Sequence, residues 1–315
     1  MDARGAGVVL NTGRVRDQWH TMTRTGRVPA LLAHTPEPAL ALNPADAARL
    51  GIAAGSLVRV AGAAGETVLR ATLTHTQRRG EAFAPMHWTD AFTGAGPVAR
   101  VVAAARDPVS GQPALKGTPV RLAPLGSHYA GLLLLPRGGA AGPRDWPCHW
   151  VRVPMETAEL FRLEGIAPAE AGRLAAALLP EAPEQERLEL HDPARFTLRR
   201  AVLRDGRLEA CLFLARDAAA LARAEAIAPL LGAMLTPTQR ALLLAGRVPG
   251  KTADYDGPHV CACFGVGREA VRHAVVTHRL ADVAAIGACL GAGTNCGSCV
   301  PELEEILRDV RLPAA

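Results

Sequence analysis

The sequence predicts a multidomain α+β protein: a β-barrel at the front, a mixed α+β domain in the middle and a small all-α domain at the end. Three observations predict it. Short β-rich runs broken by Gly and Pro fill residues 1–125, strand and helix patterns mix over 126–255, and 256–315 carry three helical patterns behind a polar linker. A chain of 315 residues has room for two or three domains. Hydrophobic residues make up 49% and aromatics only 4%, so cores of Ala, Val and Leu are expected.

In the front domain, strands are expected over 8–10, 57–61, 67–73, 81–87 and 118–122. Gly62-Ala-Ala-Gly65 joins the second and third of them as a hairpin. A short helix opens at Asn43-Pro44, where Asn caps and Pro suits the first turn, and stops at Gly51. In the middle domain, strands are expected over 129–135, 149–153, 196–203 and 207–214, the last two around an Asp205-Gly206 turn. Helices are expected over 156–164, 169–179 and 218–234, and from Thr236 onward. The breaker-rich stretch 249–258 reads as a domain boundary. Helices over 268–280, 282–290 and 301–310 complete the chain.

Charge narrows the function. Residues 1–125 carry 14 Lys+Arg against 8 Asp+Glu, six positive, while 256–315 carry 5 against 7, two negative. A basic front welcomes an anionic ligand, but no basic run with interleaved aromatics points to nucleic acid. The longest apolar stretch, 130–136, is far too short to span a bilayer. The start, MDARGAGVVLNTGRV, lacks the features of a secretory signal, so a cytoplasmic protein is expected.

Five of the seven cysteines lie between Cys261 and Cys299. Cys261-Ala-Cys263 and Cys296-Gly-Ser-Cys299 could converge across two short helices, and four thiolates are what a [2Fe–2S] cluster takes. Gly265, Gly267, Gly293 and Gly297 would let backbone N–H groups approach the sulfurs. A Cys₄ zinc site is the competing reading, although a CxC pair is atypical for it. Cys148, Cys211 and Cys289 read as small hydrophobes. The CACFGV and AGTNCGSC segments resemble the bacterioferritin-associated-ferredoxin-like [2Fe–2S] domain over about 50 residues. That resemblance implies Cys261, Cys263, Cys296 and Cys299 as the ligands.

At the front, TGRVRDQWHT packs a glycine, two arginines, an indole, an imidazole and two hydroxyls into residues 12–21. Such groups could hold a phosphate-rich, ring-bearing ligand; a polar loop between strands is the bland alternative. TGRVRDQWHT, LNPADAARLGIAAGSLVRV, GEAFAPMHWTD and DPVSGQPALKGTPVRL together resemble the successive motifs of the molybdopterin-dinucleotide-binding domain of the dimethyl-sulfoxide-reductase superfamily. The resemblance implies a double-psi β-barrel and a molybdopterin guanine dinucleotide cofactor. Its implied contacts are Thr12, Gly13, Arg14, Trp19, His20, Thr21 and Lys116, with His87 as a weaker candidate. Relatives often carry Asn eight residues before Asp107-Pro108. Here Ala99 stands there, with Arg100 beside it.

A molybdopterin-binding barrel, an α+β region and a CxC…CxxC domain occur in that order in bacterial assimilatory nitrate reductases. The resemblance therefore implies the cofactor-binding and electron-transfer portion of such an enzyme, with domains at 1–125, 126–255 and 256–315. The molybdenum-ligating and [4Fe–4S] parts are expected from upstream domains or a partner subunit, so this chain alone should not reduce nitrate and no catalytic residue is assigned in it. Ferredoxin, flavodoxin or an NADH-dependent reductase is the expected electron donor. A part of another molybdopterin oxidoreductase, such as a formate dehydrogenase relative, or a non-enzymatic iron–sulfur module remain the alternatives.

Overall fold

The computed structural model describes residues 7–138, 146, 148–180, 182–246 and 257–311. Most of the expected linker at 249–258 lies outside them. By compactness the chain divides into two units. The first comprises 1–14, 19–23 and 37–249, and the second comprises 15–18, 24–36 and 250–315.

The first unit opens with a closed six-stranded barrel. Its strands are β1 (Val8–Gly13), β2 (Ala39–Leu42), β3 (Leu57–Ala61), β4 (Glu66–Leu73), β5 (Glu81–Pro85) and β6 (Thr118–Leu125), in the order β1-β5-β2-β4-β3-β6. Period-two burial in β1 and β4 turns Val8, Leu10, Leu69 and Ala71 into a core shared with Leu40, Leu42, Val58, Val60 and Val120. β1 runs parallel to β5, with Gly13 opposite Pro85, so the loops leaving both strands start at one end of the barrel. Helix α2 (Pro44–Leu50) is capped as expected: the Asn43 side chain accepts from Ala45 N–H at 3.0 Å, and Gly51 takes a left-handed φ of 68°.

The rest of this unit is one antiparallel sheet in the order β10-β11-β12-β7-β9-β8. The strands are β7 (Tyr129–Pro136), β8 (His149–Pro154), β9 (Ala158–Gly165), β10 (Glu186–Asp192), β11 (Thr197–Arg204) and β12 (Arg207–Ala215). One face packs on α3 (Ala171–Leu178) through Leu133, Phe161, Leu174 and Leu212. The other packs on α4 (Ala224–Ile227), α5 (Pro237–Leu244) and their neighbours through Leu160, Cys211, Phe213, Ile227 and Leu243.

Two expected helices are corrected here. Residues 158–164 of that segment lie in β9, after a bend at 156–157, because the chain folds back on β8 and is flanked by β7 on its other edge, where its apolar side chains are buried on both faces. Residues 218–234 form short pieces: a 3-10 turn over Ala218–Ala220, α4, and a second 3-10 turn over Ala228–Leu230 that contains Pro229. Proline removes an amide donor there and blocks a continuous helix.

The second unit contains a two-stranded ladder, β13 (His259–Cys261) with β14 (Val266–Gly267), so it is not purely helical. Helices α6 (Arg268–His278), α7 (Val283–Leu290) and α8 (Val300–Arg311) pack Val271, Val275, Ile286, Leu303 and Ile306 around Cys261 and Cys299. The short helix α1 (Pro29–Leu32) also falls within this unit. Among the described residues no helix is long and apolar enough to cross a membrane.

Candidate functional site

The cysteine site is built by two turns. β13 delivers Cys261, and the Ala262–Gly265 turn that follows carries Cys263, with Gly265 at φ 63°. A glycine-rich loop from Gly291 to Cys299 delivers the other pair, with Gly293 at φ 88° and Gly297 at φ 71°. Backbone φ in this region favours glycine, which is why the loop can fold tightly enough to present amides to sulfur.

The thiols meet as two couples. Cys263 donates to the Cys296 sulfur at 3.4 Å, and both are exposed. Cys261 and Cys299 are both 2% exposed and interact through their thiols. Burial pushes the Cys299 thiol up, aided by Cys261, while amide donation from Gly293 opposes the shift. At the surface, the Ser298 hydroxyl and amide and the Cys263 thiol bring Cys296 down to about 7, the Ser298 oxygen lying 3.1 Å from its sulfur. Among the described residues no group of three or more His, Cys, Asp or Glu is arranged around a single ion. The two couples together offer four thiols, the donor type and number that a [2Fe–2S] cluster takes. Cys289 is exposed on α7 and belongs to neither couple.

A set of charges that sequence reasoning passed over lies in the same unit. Arg16 donates to the Val260 carbonyl at 2.8 Å, to Glu302 at 3.1 Å and to Asp17 at 2.9 Å. His34 bridges Asp17 at 3.0 Å and Glu302 at 3.1 Å, and Arg268 reaches Glu302 at 3.0 Å. Burial raises the Asp17 carboxyl, but hydrogen bonds from His34 and Arg16 outweigh it and bring it down to about 2. Burial opposes the charge on His34, yet its bonds to Asp17 and Glu302 hold its pKa above the ordinary value. Sequence reading took the whole of TGRVRDQWHT as a cofactor loop, and Arg16 and Asp17 lie 286 and 285 residues from Glu302, so nothing in the sequence linked them to it.

The barrel site forms where β1 and β5 end. Gly13 is glycine because the Phe83 ring occupies the space that a Cβ would take, 2.7 Å away. Beyond it, Arg14 lies over the Trp19 ring at 4.9 Å, and Trp19 meets the His20 ring edge-on at 4.6 Å. The backbone beneath them is pinned. Trp19 carbonyl accepts from Met22 N–H at 3.0 Å, His20 carbonyl accepts from His87 Nδ1 at 2.6 Å, and Met22 is buried in the core. His20 and Met22 adopt φ of 45° and 60°, a conformation that non-glycine residues hold only when their surroundings enforce it. Arg14, Trp19, His20 and Thr21 thus stand exposed on a fixed backbone. Fully buried His87 supports the loop from below, and burial depresses its pKa.

Thr12 is turned inward and donates to the Leu115 carbonyl at 2.6 Å, while Asn11 accepts from Gly117 N–H at 3.1 Å. These bonds hold the turn that carries exposed Lys116. Arg100, the neighbour of Ala99, pairs with Asp90 at 2.9 Å. Trp88, missed by the sequence reasoning, is 2% exposed and its indole N–H has no partner among the described residues.

Comparison with known proteins finds matches to both segments. Residues 8–119 match the Molydopterin dinucleotide binding domain family, and residues 259–309 match the BFD-like [2Fe-2S] binding domain family. A nitrate reductase of Klebsiella oxytoca is 33% identical over 326 aligned residues, covering 95% of this chain and 34% of the relative. A nitrate reductase of Shewanella frigidimarina is 33% identical over 39% of this chain and 16% of its own length. The F420-dependent formate dehydrogenase subunit alpha of Methanocaldococcus jannaschii is 37% identical over 26% of this chain and 12% of its own. This chain therefore spans about a third, or less, of the length of these relatives.

Proposed function

We propose that this chain, which carries a Molydopterin dinucleotide binding domain and a BFD-like [2Fe-2S] binding domain, is the cofactor-binding and electron-transfer portion of a molybdenum-dependent assimilatory nitrate reductase. The observation that carries the reading is similarity to a nitrate reductase along 95% of the chain, with both cofactor families in place. Domains at 1–125, 126–255 and 256–315 are the corresponding division, the first a double-psi barrel. A cytoplasmic location accompanies the assimilatory role.

In this reading Arg14 and Lys116 pair with the phosphates of the dinucleotide, and Gly13, Trp19, His20 and Thr21 contact its planar and polar parts. Thr12 acts by holding the Lys116 turn, and His87 by fixing the His20 carbonyl. Cys261, Cys263, Cys296 and Cys299 are the cluster ligands, and the exposed couple Cys263/Cys296 marks the edge open to a redox partner. When bound, the pterin-held molybdenum supplies oxygen-atom transfer and the cluster supplies single electrons. Reduction of nitrate to nitrite and water consumes two electrons and two protons. The molybdenum and [4Fe–4S] domains belong to an upstream segment or subunit, and ferredoxin, flavodoxin or an NADH-dependent reductase is the donor.

Growth of a deletion strain tests the substrate. Loss of growth on nitrate as sole nitrogen source, with growth on ammonium intact, supports this function. Intact growth on nitrate with lost formate oxidation instead supports the formate dehydrogenase alternative, which the Methanocaldococcus similarity favours over a quarter of the chain. The chain by itself is expected to show no nitrate reduction with reduced viologen.

A further inference from the structure

We propose that Arg16, a residue 243 positions ahead of the segment 259–309 that matches the cluster-binding family, is a positioning residue that sets the reduction potential of the cluster through the Asp17, His34, Arg268 and Glu302 network. The inference rests on the assignment of Cys261, Cys263, Cys296 and Cys299 as ligands.

Arg16 holds both cysteine-bearing segments of the second unit. One of its N–H groups binds the carbonyl of Val260, next to Cys261, and another binds Glu302, in the first turn of the helix that starts directly after Cys299. Its guanidinium also lies within electrostatic reach of Cys299. The 24–36 segment adds a second grip, since the Ala33 carbonyl accepts from His259 N–H at 3.2 Å and His34 binds Glu302. Arg16 and Arg268 supply two permanent positive charges against the carboxylates of Asp17 and Glu302, and His34, bonded to both carboxylates, adds a third when protonated. The network is partly shielded from water, with side-chain exposures of 10% for Asp17, 17% for His34, 20% for Glu302, 21% for Arg16 and 30% for Arg268. Charges so placed are weakly screened.

Reduction adds one electron to a cluster held by four thiolates. Each positive charge beside it stabilises the reduced form and each negative charge opposes it, and local charge and hydrogen bonding are established determinants of cluster potential. Removing Arg16 should therefore make the cluster harder to reduce. Removing the negative charge of Glu302 should make it easier. Structural damage alone gives no reason for the two shifts to have opposite signs.

The test is a potentiometric titration of the full chain, followed by visible absorbance and by electron paramagnetic resonance of the reduced cluster. Arg16→Gln is expected to lower the reduced-to-oxidised ratio at fixed potential by about tenfold, which is 59 mV for one electron. Glu302→Gln is expected to raise it, and Arg16→Lys to stay near wild type. If Arg16→Gln does not retain a cluster, the Glu302→Gln shift decides by its sign. Unchanged potentials, or shifts of the same sign in both variants, overturn the inference while leaving the ligand assignment intact. A wild-type chain with no [2Fe–2S] cluster overturns the ligand assignment itself and this inference with it.

Discussion

Thr12→Val separates a residue that touches the pterin cofactor from one that holds the group which does. The Thr12 hydroxyl is spent on the Leu115 carbonyl at 2.6 Å, with the residue only 6% exposed. Valine keeps the shape and removes the donor. A net loss of about 1 kcal/mol is expected for the hydrogen bond, and up to about 3 kcal/mol if the carbonyl stays dry. The Gly117 amide bond to Asn11 remains, so the barrel should fold and the loss should fall on the turn that carries Lys116. At about 1.4 kcal/mol per tenfold, cofactor affinity should drop by roughly tenfold. The assay is pterin fluorescence released on denaturation from the complete enzyme loaded at limiting cofactor. Thr12→Ser should match wild type. In a Lys116→Ala background, Thr12→Val should cost almost nothing further, because the group it positions is gone. Full additivity of the two substitutions would refute the argument and put the Thr12 hydroxyl on the cofactor directly.

Three further outcomes follow from the site and its supports. Gly293→Ala forces a side chain into φ 88° against Leu303 and Val283 at 3.3 Å. It should cost roughly 1–2 kcal/mol and reduce iron per chain, whereas Gly55→Ala, at φ 76° with open space around it, should leave the iron content unchanged. His34 has a folded pKa above its ordinary 6.5, so its stabilisation is complete below pH 6.5 and disappears as pH rises through the folded value. The difference in urea midpoint between wild type and His34→Gln, followed by cluster absorbance, should shrink between pH 6 and pH 9. Burial first, then Arg70, depress His149 to about 4 from 6.5, so the unfolded chain takes up the proton first and stability falls as pH drops through that window. About 3 kcal/mol is at stake, and His149→Leu should flatten a pH titration of denaturation between 6.5 and 4.

Local chemistry was legible where a residue type dictates a backbone. Asn43-Pro44, Gly51, the Asp205-Gly206 turn and the Thr236-Pro237 helix start all appear as expected, the last with a capping box between Thr236 and Gln239. The segment 156–164 misled because a strand buried on both faces shows no two-residue alternation, and its Glu and Leu residues favour helix when read alone. Strand β10 escaped for the opposite reason: it sits at a sheet edge, largely exposed, and its side chains are mostly charged. Strand β2 is four residues of Ala and Leu, too short to show a period. The cysteine spacing announced the cluster, but Arg16 and His34 could not be linked to Glu302 by sequence, since they lie 286 and 268 residues away from it. Their partnership exists only once the second unit has gathered its distant segments.

Iron and acid-labile sulfide in the purified chain test the central assignment most directly. Two irons and two sulfides per chain, lost on replacing any of Cys261, Cys263, Cys296 or Cys299 by Ser but kept in Cys289→Ser, are the predicted result. A colourless protein that holds zinc on those four cysteines, without sulfide, would contradict the account.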